Sequence, residues 1–229
     1  MPEQELKIAT WNVMRPRVSS RRNPNILKEL ENIDADILVL TETNTCINPG
    51  KQYIAFSTAP LYGTSSKFGE PYRIGEKRVT IWGKNSQDAI EIACLSQSGV
   101  CVRVGELNVY GTVIGPYGRG GTDFYIDLKN QIEDWERISK LGHICIAGDF
   151  NIAFKGKYFT KEAREKLNAC FQSLNIEVPT RDITENIDHI AISKPFLQSF
   201  DCGIKLWNES RNKQEMSDHL GICLTLNRR

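Results

Sequence analysis

The chain has 229 residues, with 29 Lys and Arg against 28 Asp and Glu, for a formal net charge of +1. This length suits one α/β or all-β domain with a large buried core. A net charge this small excludes a protein that coats nucleic acid or a membrane through a global electrostatic field, so any polyanion must be held locally. We expect a single domain over residues 1–229, acting as a monomer.

The cysteine pattern bears on the compartment. Seven cysteines are scattered along the chain without a Cys-x-x-Cys pair, and several lie in apolar runs. This usage argues against a disulfide framework or a zinc site, and it favours reduced, buried thiols. No signal peptide is evident, and no apolar stretch approaches the ~18 residues that a spanning helix needs. We therefore predict a cytoplasmic protein without a membrane span.

The first part of the chain predicts a β-α-β unit. Residues 6–11 form a predicted strand, and a loop with arginines at positions 15, 17, 21 and 22 follows it. Asn23 and Pro24 predict the start of a helix over roughly 24–33, with Asn23 as its cap. A strand over 37–41 completes the unit, and 42–52 is predicted to be loop. The short β-rich segments after it are predicted to be antiparallel strands, over 53–58, 78–83, 89–95, 100–104 and 106–114.

Helices and strands alternate in the second half. Thr122 begins a predicted helix of about 17 residues, because its apolar residues return at helical spacing. Residues 143–147 are a run of apolar residues typical of a strand buried on both faces. Residues 160–174 form a third predicted helix, with Thr160 near its start, and strands are predicted over 187–192, 197–206 and 219–226. A few helices among many strands predict an α/β fold with two sheets packed face to face and helices outside.

Polar side chains lie at the ends of four separated strands. They are Asn12, Glu42, Asp149 with Asn151, and Asp218 with His219. Because ligands gather at the carboxyl ends of strands in open sheets, we expect these side chains to form one site. Each has a structural alternative when taken singly. The segment 148–151 also fits an Asx turn, Glu42 a surface position, and His219 a structural histidine.

The carboxylates and amides of this set suit metal-assisted phosphoryl chemistry. Glu42 and Asp149 offer the hard oxygen ligands that Mg²⁺ favours when water and substrate phosphate complete its shell. Asn12 and Asn151 are neutral, so they can bind a phosphate oxygen or coordinate metal without adding negative charge beside an anionic substrate. The predicted chemistry is hydrolysis of a phosphoester.

Asp188 and His219 are candidates for an acid/base pair. An imidazole needs a partner that fixes its tautomer and stabilises its cation, and a carboxylate from another strand does both. His143 and His189 are interpreted as structural, because His143 begins a buried strand and His189 faces away from Asp188 across its strand.

The chain resembles the endonuclease/exonuclease/phosphatase superfamily in five motifs that occur in the same order between residues 6 and 224. These motifs are Thr10-Trp11-Asn12-Val13, Leu40-Thr41-Glu42-Thr43, Gly148-Asp149-Phe150-Asn151, Ile187-Asp188-His189-Ile190 and Ser217-Asp218-His219. Its members include abasic-site endonucleases, deoxyribonuclease I, inositol polyphosphate 5-phosphatases and neutral sphingomyelinases. The resemblance implies a four-layered α/β sandwich of two packed mixed sheets flanked by helices.

The resemblance also implies a reaction and a role for each residue. The reaction is Mg²⁺-dependent hydrolysis of a phosphoester, with Mn²⁺ as an alternative cofactor. Glu42 would bind the metal, with Asn12 beside the metal or phosphate and Asp218 at or behind the metal. Asp149 would orient or deprotonate the attacking water and Asn151 would hold that water or a phosphate oxygen, while Asp188 would orient His219 at the scissile phosphate.

One position departs from the superfamily pattern. Many members carry a His or Tyr that touches the phosphate at the end of the strand before the second long helix, and here the equivalent is Thr112. A Thr hydroxyl donates a hydrogen bond but cannot serve as a charged acid. Tyr110 and Tyr117 remain alternatives for this substrate contact. Arg15, in the loop after Asn12, is a further candidate for binding substrate.

Three functions follow from these residues. The leading hypothesis is a Mg²⁺-dependent hydrolase, a nuclease or phosphodiesterase, acting on a phosphodiester in nucleic acid or a nucleotide. A lipid or inositol phosphate phosphatase is the alternative enzyme, since the arginines suit either anion. A non-catalytic binding module on the same fold is the third, and the intact motifs argue against it.

Overall fold

A computed structural model describes residues 5–63, 71–115, 122–156 and 161–229, apart from the side chains of residues 122 and 123. The strands are β1 (Glu5–Asn12), β2 (Ile37–Asn44), β3 (Tyr53–Ser57), β4 (Glu76–Lys84), β5 (Ile90–Ile92), β6 (Gly99–Val104), β7 (Leu107–Val113), β8 (His143–Asp149), β9 (Ile176–Glu177), β10 (Asp188–Ser193), β11 (Phe200–Trp207) and β12 (Gly221–Arg228). The helices are α1 (Asn23–Ile33), α2 (Thr122–Ser139), α3 (Lys161–Ser173) and α4 (Lys194–Leu197).

The strands form two mixed sheets of six strands each. The first has the order β11-β12-β1-β2-β4-β3, and the second has the order β5-β6-β7-β8-β10-β9. Each has one parallel pair at its centre, β1 with β2 and β7 with β8, and each pair is connected through a helix. The remaining pairings in both sheets are antiparallel. The predicted α/β sandwich of two mixed sheets with helices around them is confirmed.

The main core lies between the two sheets. It joins Val39 and Val79 of the first sheet to Val109 and Ala147 of the second, all of them buried. Gly111 of β7 lies against the first sheet, where an added Cβ would lie 2.7 Å from Val79 and 3.1 Å from Val39. A side chain there would push the sheets apart, so glycine is needed for this close packing.

The helices bury their apolar faces on the outer surfaces of the sheets. Ile26 and Leu30 of α1 pack in one cluster with Trp11 of the first sheet. On the other side, α2 and α3 cover the second sheet, where Trp135 of α2 lies in a cluster with Ile144. The apolar spacing that predicted these helices therefore also positions them, because one stripe of each faces a sheet.

Several boundaries differ from the predictions. Asn23 does not cap α1: Arg22 holds the cap position, and the Asn23 amide donates to the Arg17 and Val18 carbonyls of the preceding loop. β2 continues to Asn44, because Thr43 and Asn44 still pair with β4. The strand predicted over 197–206 begins at Phe200, because the short helix α4 extends to Leu197. Thr160 and Tyr117 lie outside the described residues.

The sequence predicted reduced, buried thiols and no membrane-spanning helix. All seven cysteines are free thiols, and Cys101, Cys145, Cys170 and Cys223 are buried. In the part of the chain that the structure describes, no helix is both long and apolar enough to cross a membrane.

His189 is structural, as the sequence predicts. The side chain is fully buried, its Nδ1 lies 3.1 Å from the Thr180 hydroxyl, and its Nε2 lies 3.0 Å from the Ile152 carbonyl oxygen. Burial lowers the pKa of His189 from 6.5 to about 4. The folded protein therefore keeps this imidazole neutral at a pH where the unfolded chain already protonates it.

This difference predicts a pH-dependent stability. Between pH 6.5 and about 4 the unfolded state binds a proton that the folded state does not, so the free energy of unfolding should fall as the pH falls. The loss from this group should reach about 3 kcal/mol. Urea unfolding measured across this range should show a shallower pH slope in His189→Gln than in the wild type, and equal slopes would contradict the assignment.

Candidate active site

The predicted site residues from the two sheets meet at one edge of the sandwich. Asn12 ends β1 in the first sheet, and Asp149 ends β8 in the second. The Asn12 Nδ2 donates a hydrogen bond of 3.0 Å to the Asp149 Oδ2, which joins the two sheets directly. Asp188 begins β10 and pairs with Asp149, since these strands are antiparallel. The parallel pairs therefore bring their carboxyl ends together, as the sequence pattern predicts.

Asp188 and His219 form a close pair. His219 Nδ1 donates to Asp188 Oδ2 over 2.6 Å, and the Asp188 side chain is 1% exposed. The backbone of His219 is fixed as well, because its carbonyl accepts hydrogen bonds from Trp11 Nε1 and Asn208 Nδ2. The carboxylate sets the tautomer of the ring and leaves Nε2 for another partner.

Charge around this pair favours the imidazolium. Burial by itself would lower the pKa of His219, but the carboxylates of Asp188, Asp149 and Asp218 outweigh burial and raise that pKa to about 10. Burial raises the pKa of Asp188, and the charge of Glu42 adds to that shift, while His219 opposes it. We assign the shared proton to His219, because an imidazolium beside several carboxylates is stabilised by each of them.

The backbone and a neighbouring amide hold Asp149 in place. Its Oδ1 accepts a hydrogen bond of 2.8 Å from the backbone N–H of Asn151, and its Oδ2 accepts the bond from Asn12. Asn151 has a φ of 51°, in the left-handed region, and its Nδ2 donates to the carbonyl oxygen of Ile114. Both oxygens of Asp149 therefore accept hydrogen bonds from the protein, which holds the side chain in one orientation.

Asn12 is buried and hydrogen-bonded at both ends of its amide. Besides the bond to Asp149, its Oδ1 accepts a hydrogen bond of 2.9 Å from the backbone N–H of Met14. The structure therefore places Asn12 as a link between Asp149 and the loop after β1.

Glu42 and Arg15 lie together beside this group. Glu42 has a φ of 45°, and its backbone carbonyl accepts a hydrogen bond of 2.7 Å from the backbone N–H of Arg15. Both side chains line a cavity of about 350 Å³. The Arg15 guanidinium pairs with Glu76 over 3.0 Å, so this arginine is held in place by a buried acid.

The donor set fits a hard divalent cation. One ligand atom from each of Asp149, Asp188 and His219 lies within 4.8 Å of the others. The buried Asp188 Oδ1 has no hydrogen-bond partner among the described residues.

Two of the predicted metal ligands lie outside that group of three, Glu42 and Asp218. The half-exposed Asp218 has its Oδ1 3.9 Å from His219 Nε2, and Glu42 is close enough to raise the pKa of Asp188. Carboxylates of like charge gathered in this way are stabilised by a bound cation.

Comparison with known proteins supports the fold. No protein-family model matches the sequence, and no curated protein matches it. Among solved structures, the 3'-5' exonuclease NExo from Neisseria meningitidis matches with a TM-score of 0.71 and 16% identity, over 97% of this chain and 100% of that one. An AP endonuclease from Archaeoglobus fulgidus matches with a TM-score of 0.67 and 15% identity, over 96% and 98%. An endonuclease/exonuclease/phosphatase from Beutenbergia cavernae matches with a TM-score of 0.65 and 13% identity, over 98% and 72%.

The chain has the endonuclease/exonuclease/phosphatase fold. The resemblance that the motifs predicted is thereby confirmed at the level of the fold. Asn12, Asp149, Asn151, Asp188 and His219 occupy one edge of this fold.

Tyr110 and Thr112 do not join them, which corrects the prediction that they bind substrate. Both side chains are fully buried and face α2. The Tyr110 hydroxyl donates to Asp134, and the Thr112 hydroxyl donates to Gln131 Oε1. Side chains two positions apart on a strand share a face, and here that face packs under the helix layer of the endonuclease/exonuclease/phosphatase fold.

The sequence did not point to Glu76 as part of the site. Glu76 is 1% exposed and holds both Arg15 and Arg73. It begins β4 in a charged stretch of sequence, where a buried acid cannot be distinguished from a surface residue. The sequence does contain two separated segments with arginines, at Arg15 and Arg73, and a buried acid can pair with both.

Proposed function

We propose that this protein is a divalent-metal-dependent hydrolase that cleaves a phosphodiester in nucleic acid or a nucleotide. The observation that carries the proposal is the Asp188–His219 pair, 2.6 Å across, beside the hydrogen bond from Asn12 to Asp149. These contacts join an acid/base pair to a second oriented carboxylate, which is the set of groups that hydrolysis of a phosphoester requires.

Glu42 is the proposed metal-binding carboxylate, with Asp149 and Asp218 as the other acidic groups in reach of the same cation. When bound, Mg²⁺ or Mn²⁺ would stabilise negative charge on the phosphate. Asn12 would hold Asp149 in place, because its amide is hydrogen-bonded both to Asp149 and to the backbone of Met14.

Asp149 is the proposed general base. Its two oxygens accept hydrogen bonds from Asn12 and from the backbone of Asn151, so the carboxylate keeps one orientation. It would take a proton from the attacking water as the water oxygen bonds to phosphorus and the bond from phosphorus to the leaving oxygen breaks, and the leaving oxygen would take up a proton from solvent. Asn151 would help to place the same water, since its amide nitrogen is already anchored on Ile114.

His219 is the proposed electrophilic contact to the phosphate. Its Nδ1–H is donated to Asp188, so the Nε2–H of the imidazolium is available for a phosphate oxygen. Asp188 acts as a positioning residue, because it touches the ring and fixes its tautomer. A preorganised cation beside the developing negative charge lowers the barrier without any rearrangement.

A nucleic-acid or nucleotide substrate is favoured because the matched structures described above include an exonuclease and an AP endonuclease. A lipid or inositol phosphate is the second candidate, since the arginines near Glu42 suit either anion. We further propose a cytoplasmic location from the free, largely buried thiols.

A substrate screen with Mg²⁺ or Mn²⁺ tests the proposal. It should include abasic DNA, single- and double-stranded DNA, RNA, dinucleotides and phosphoinositides. We expect metal-dependent cleavage of at least one nucleic-acid or nucleotide diester. Cleavage of phosphoinositides alone would establish the second candidate. If the protein bound these substrates but cleaved none of them, the result would favour the non-catalytic binding module.

A further inference from the structure

A basic cavity adjoins the candidate active site on its Glu42 side. Its volume is about 350 Å³, and it is lined by Met14, Arg15, Arg17, Ser20, Arg22, Glu42 and Arg73. Four of the seven lining side chains are arginines and one is an acid. Because guanidinium groups present donors in the fork geometry that matches phosphate oxygens, such a lining suits a phosphate group.

Protein contacts hold these arginines in place before any ligand arrives. The buried carboxylate of Glu76 binds Arg15 through one oxygen and Arg73 through the other, at 3.0 Å each. The Arg22 guanidinium donates to the carbonyl oxygens of Met14 and Met216. Three of the four arginines that line the cavity are therefore oriented by the protein itself.

The loop that forms this cavity is coupled to the candidate active site. Met14 has a φ of 55° and Arg15 a φ of 47°, both in the left-handed region that costs energy for residues with a side chain. Asn12 holds this turn by accepting the Met14 N–H, and Glu42 holds it by accepting the Arg15 N–H. Strained backbone persists where surrounding contacts enforce it, so the cavity is fixed at one position relative to Asn12 and Glu42.

We infer that this cavity binds a second phosphate group of the substrate, separate from the one that is cleaved. The inference rests on the proposed function, and it narrows the substrate to molecules with at least two phosphates. The second phosphate has two sources: the next phosphodiester of a polynucleotide strand, or a terminal phosphate of a short nucleotide. A guanidinium that is already oriented loses less conformational entropy when it binds a phosphate, and three of the four arginines here are oriented in advance.

Arg17 and Arg21 provide a matched pair of test variants. Both are exposed and lie in the same loop, but Arg17 lines the cavity and Arg21 does not. Arg17→Gln and Arg21→Gln therefore remove the same charge from the same segment, and neither disturbs a buried group.

The readout is the ratio of kcat/KM for two-phosphate substrates to kcat/KM for a one-phosphate dinucleotide. The two-phosphate substrates are a dinucleotide phosphorylated at either end and an unphosphorylated trinucleotide. We expect Arg17→Gln to lower this ratio about tenfold and Arg21→Gln to keep the wild-type ratio. A larger ratio for the trinucleotide identifies a backbone phosphate, and a larger ratio for the phosphorylated dinucleotides identifies a terminal one. Equal losses in both variants, or a wild-type ratio of one, would overturn the inference.

Binding without turnover separates this inference from the proposed function. Calorimetry in EDTA would measure the affinity of the phosphorylated dinucleotide for the wild type and for both variants. Weaker binding in Arg17→Gln alone supports the cavity even if no substrate is hydrolysed. Hydrolysis with equal binding by all three proteins supports the proposed function and rejects the cavity.

Discussion

Replacing His219 with alanine should lower kcat for phosphodiester hydrolysis by roughly 10³-fold, while the protein remains folded. The His219 ring is the imidazole that contacts Asp188, and this carboxylate fixes its orientation over 2.6 Å. Asp188→Asn should lower kcat as well, because an amide cannot stabilise the imidazolium. The double variant should be little worse than His219→Ala, since Asp188 acts through the ring.

Single-turnover rates at saturating substrate test this expectation directly. His143→Gln is the matched control: His143 begins β8, at the strand end opposite to Asp149, and its ring packs against Phe196. It should keep the wild-type rate. Losses that are fully additive in the double variant would mean that Asp188 and His219 work separately, and a normal rate in His219→Ala would remove the ring from the mechanism.

Glu42→Gln should weaken Mg²⁺ binding by about tenfold or more while leaving the fold intact. The substitution keeps the shape of the side chain and removes its charge, and Mg²⁺ depends on anionic oxygen ligands. Residue 42 has a positive φ, and glutamine and glutamate have the same steric cost there, so the substitution should not change the backbone. Titration calorimetry with Mg²⁺ or Mn²⁺ gives the affinity, and thermal unfolding without metal reports on the fold.

Glu31→Gln is the control for this experiment, because Glu31 is an exposed residue of α1. It should bind metal as the wild type does. An unchanged Mg²⁺ affinity in Glu42→Gln would show that Glu42 is not a ligand. The cation would then have to be held by other carboxylates of the site, such as Asp149.

The sequence predicted the layers of the fold and the elements that meet at the site. Strands such as β8 are buried on both faces, so their apolar runs and the polar residues that end them are visible in the sequence. The pairing of Asp188 with His219 was predicted from the ordered motifs. The prediction of the layers depends on local sequence patterns, and the prediction of the Asp188–His219 pair depends on the motifs that contain these two residues.

Other features depend on contacts between distant segments. Whether Tyr110 and Thr112 face the site or α2 is decided by how the layers stack, and the strand's own sequence allows both. The sequence offered Arg15, in the loop with four arginines, as a candidate for binding substrate. In the structure Arg15 is bound by Glu76, 61 positions away, and Arg21 lies outside the cavity that Arg73 helps to line. No local pattern in the loop contains this information.

The residues gathered at the Asn12–Asp149 contact are proposed to form a hydrolytic site. The most direct test of this proposal is hydrolysis of bis(4-nitrophenyl) phosphate by the wild type and by Asp149→Asn, each with Mn²⁺ and with EDTA. We predict hydrolysis by the wild type with metal, almost none in EDTA, and a loss of roughly 10²–10⁴-fold in Asp149→Asn at unchanged thermal stability. Equal rates for the two proteins, or a rate that EDTA does not affect, would show that these residues do not form a metal-dependent hydrolytic site.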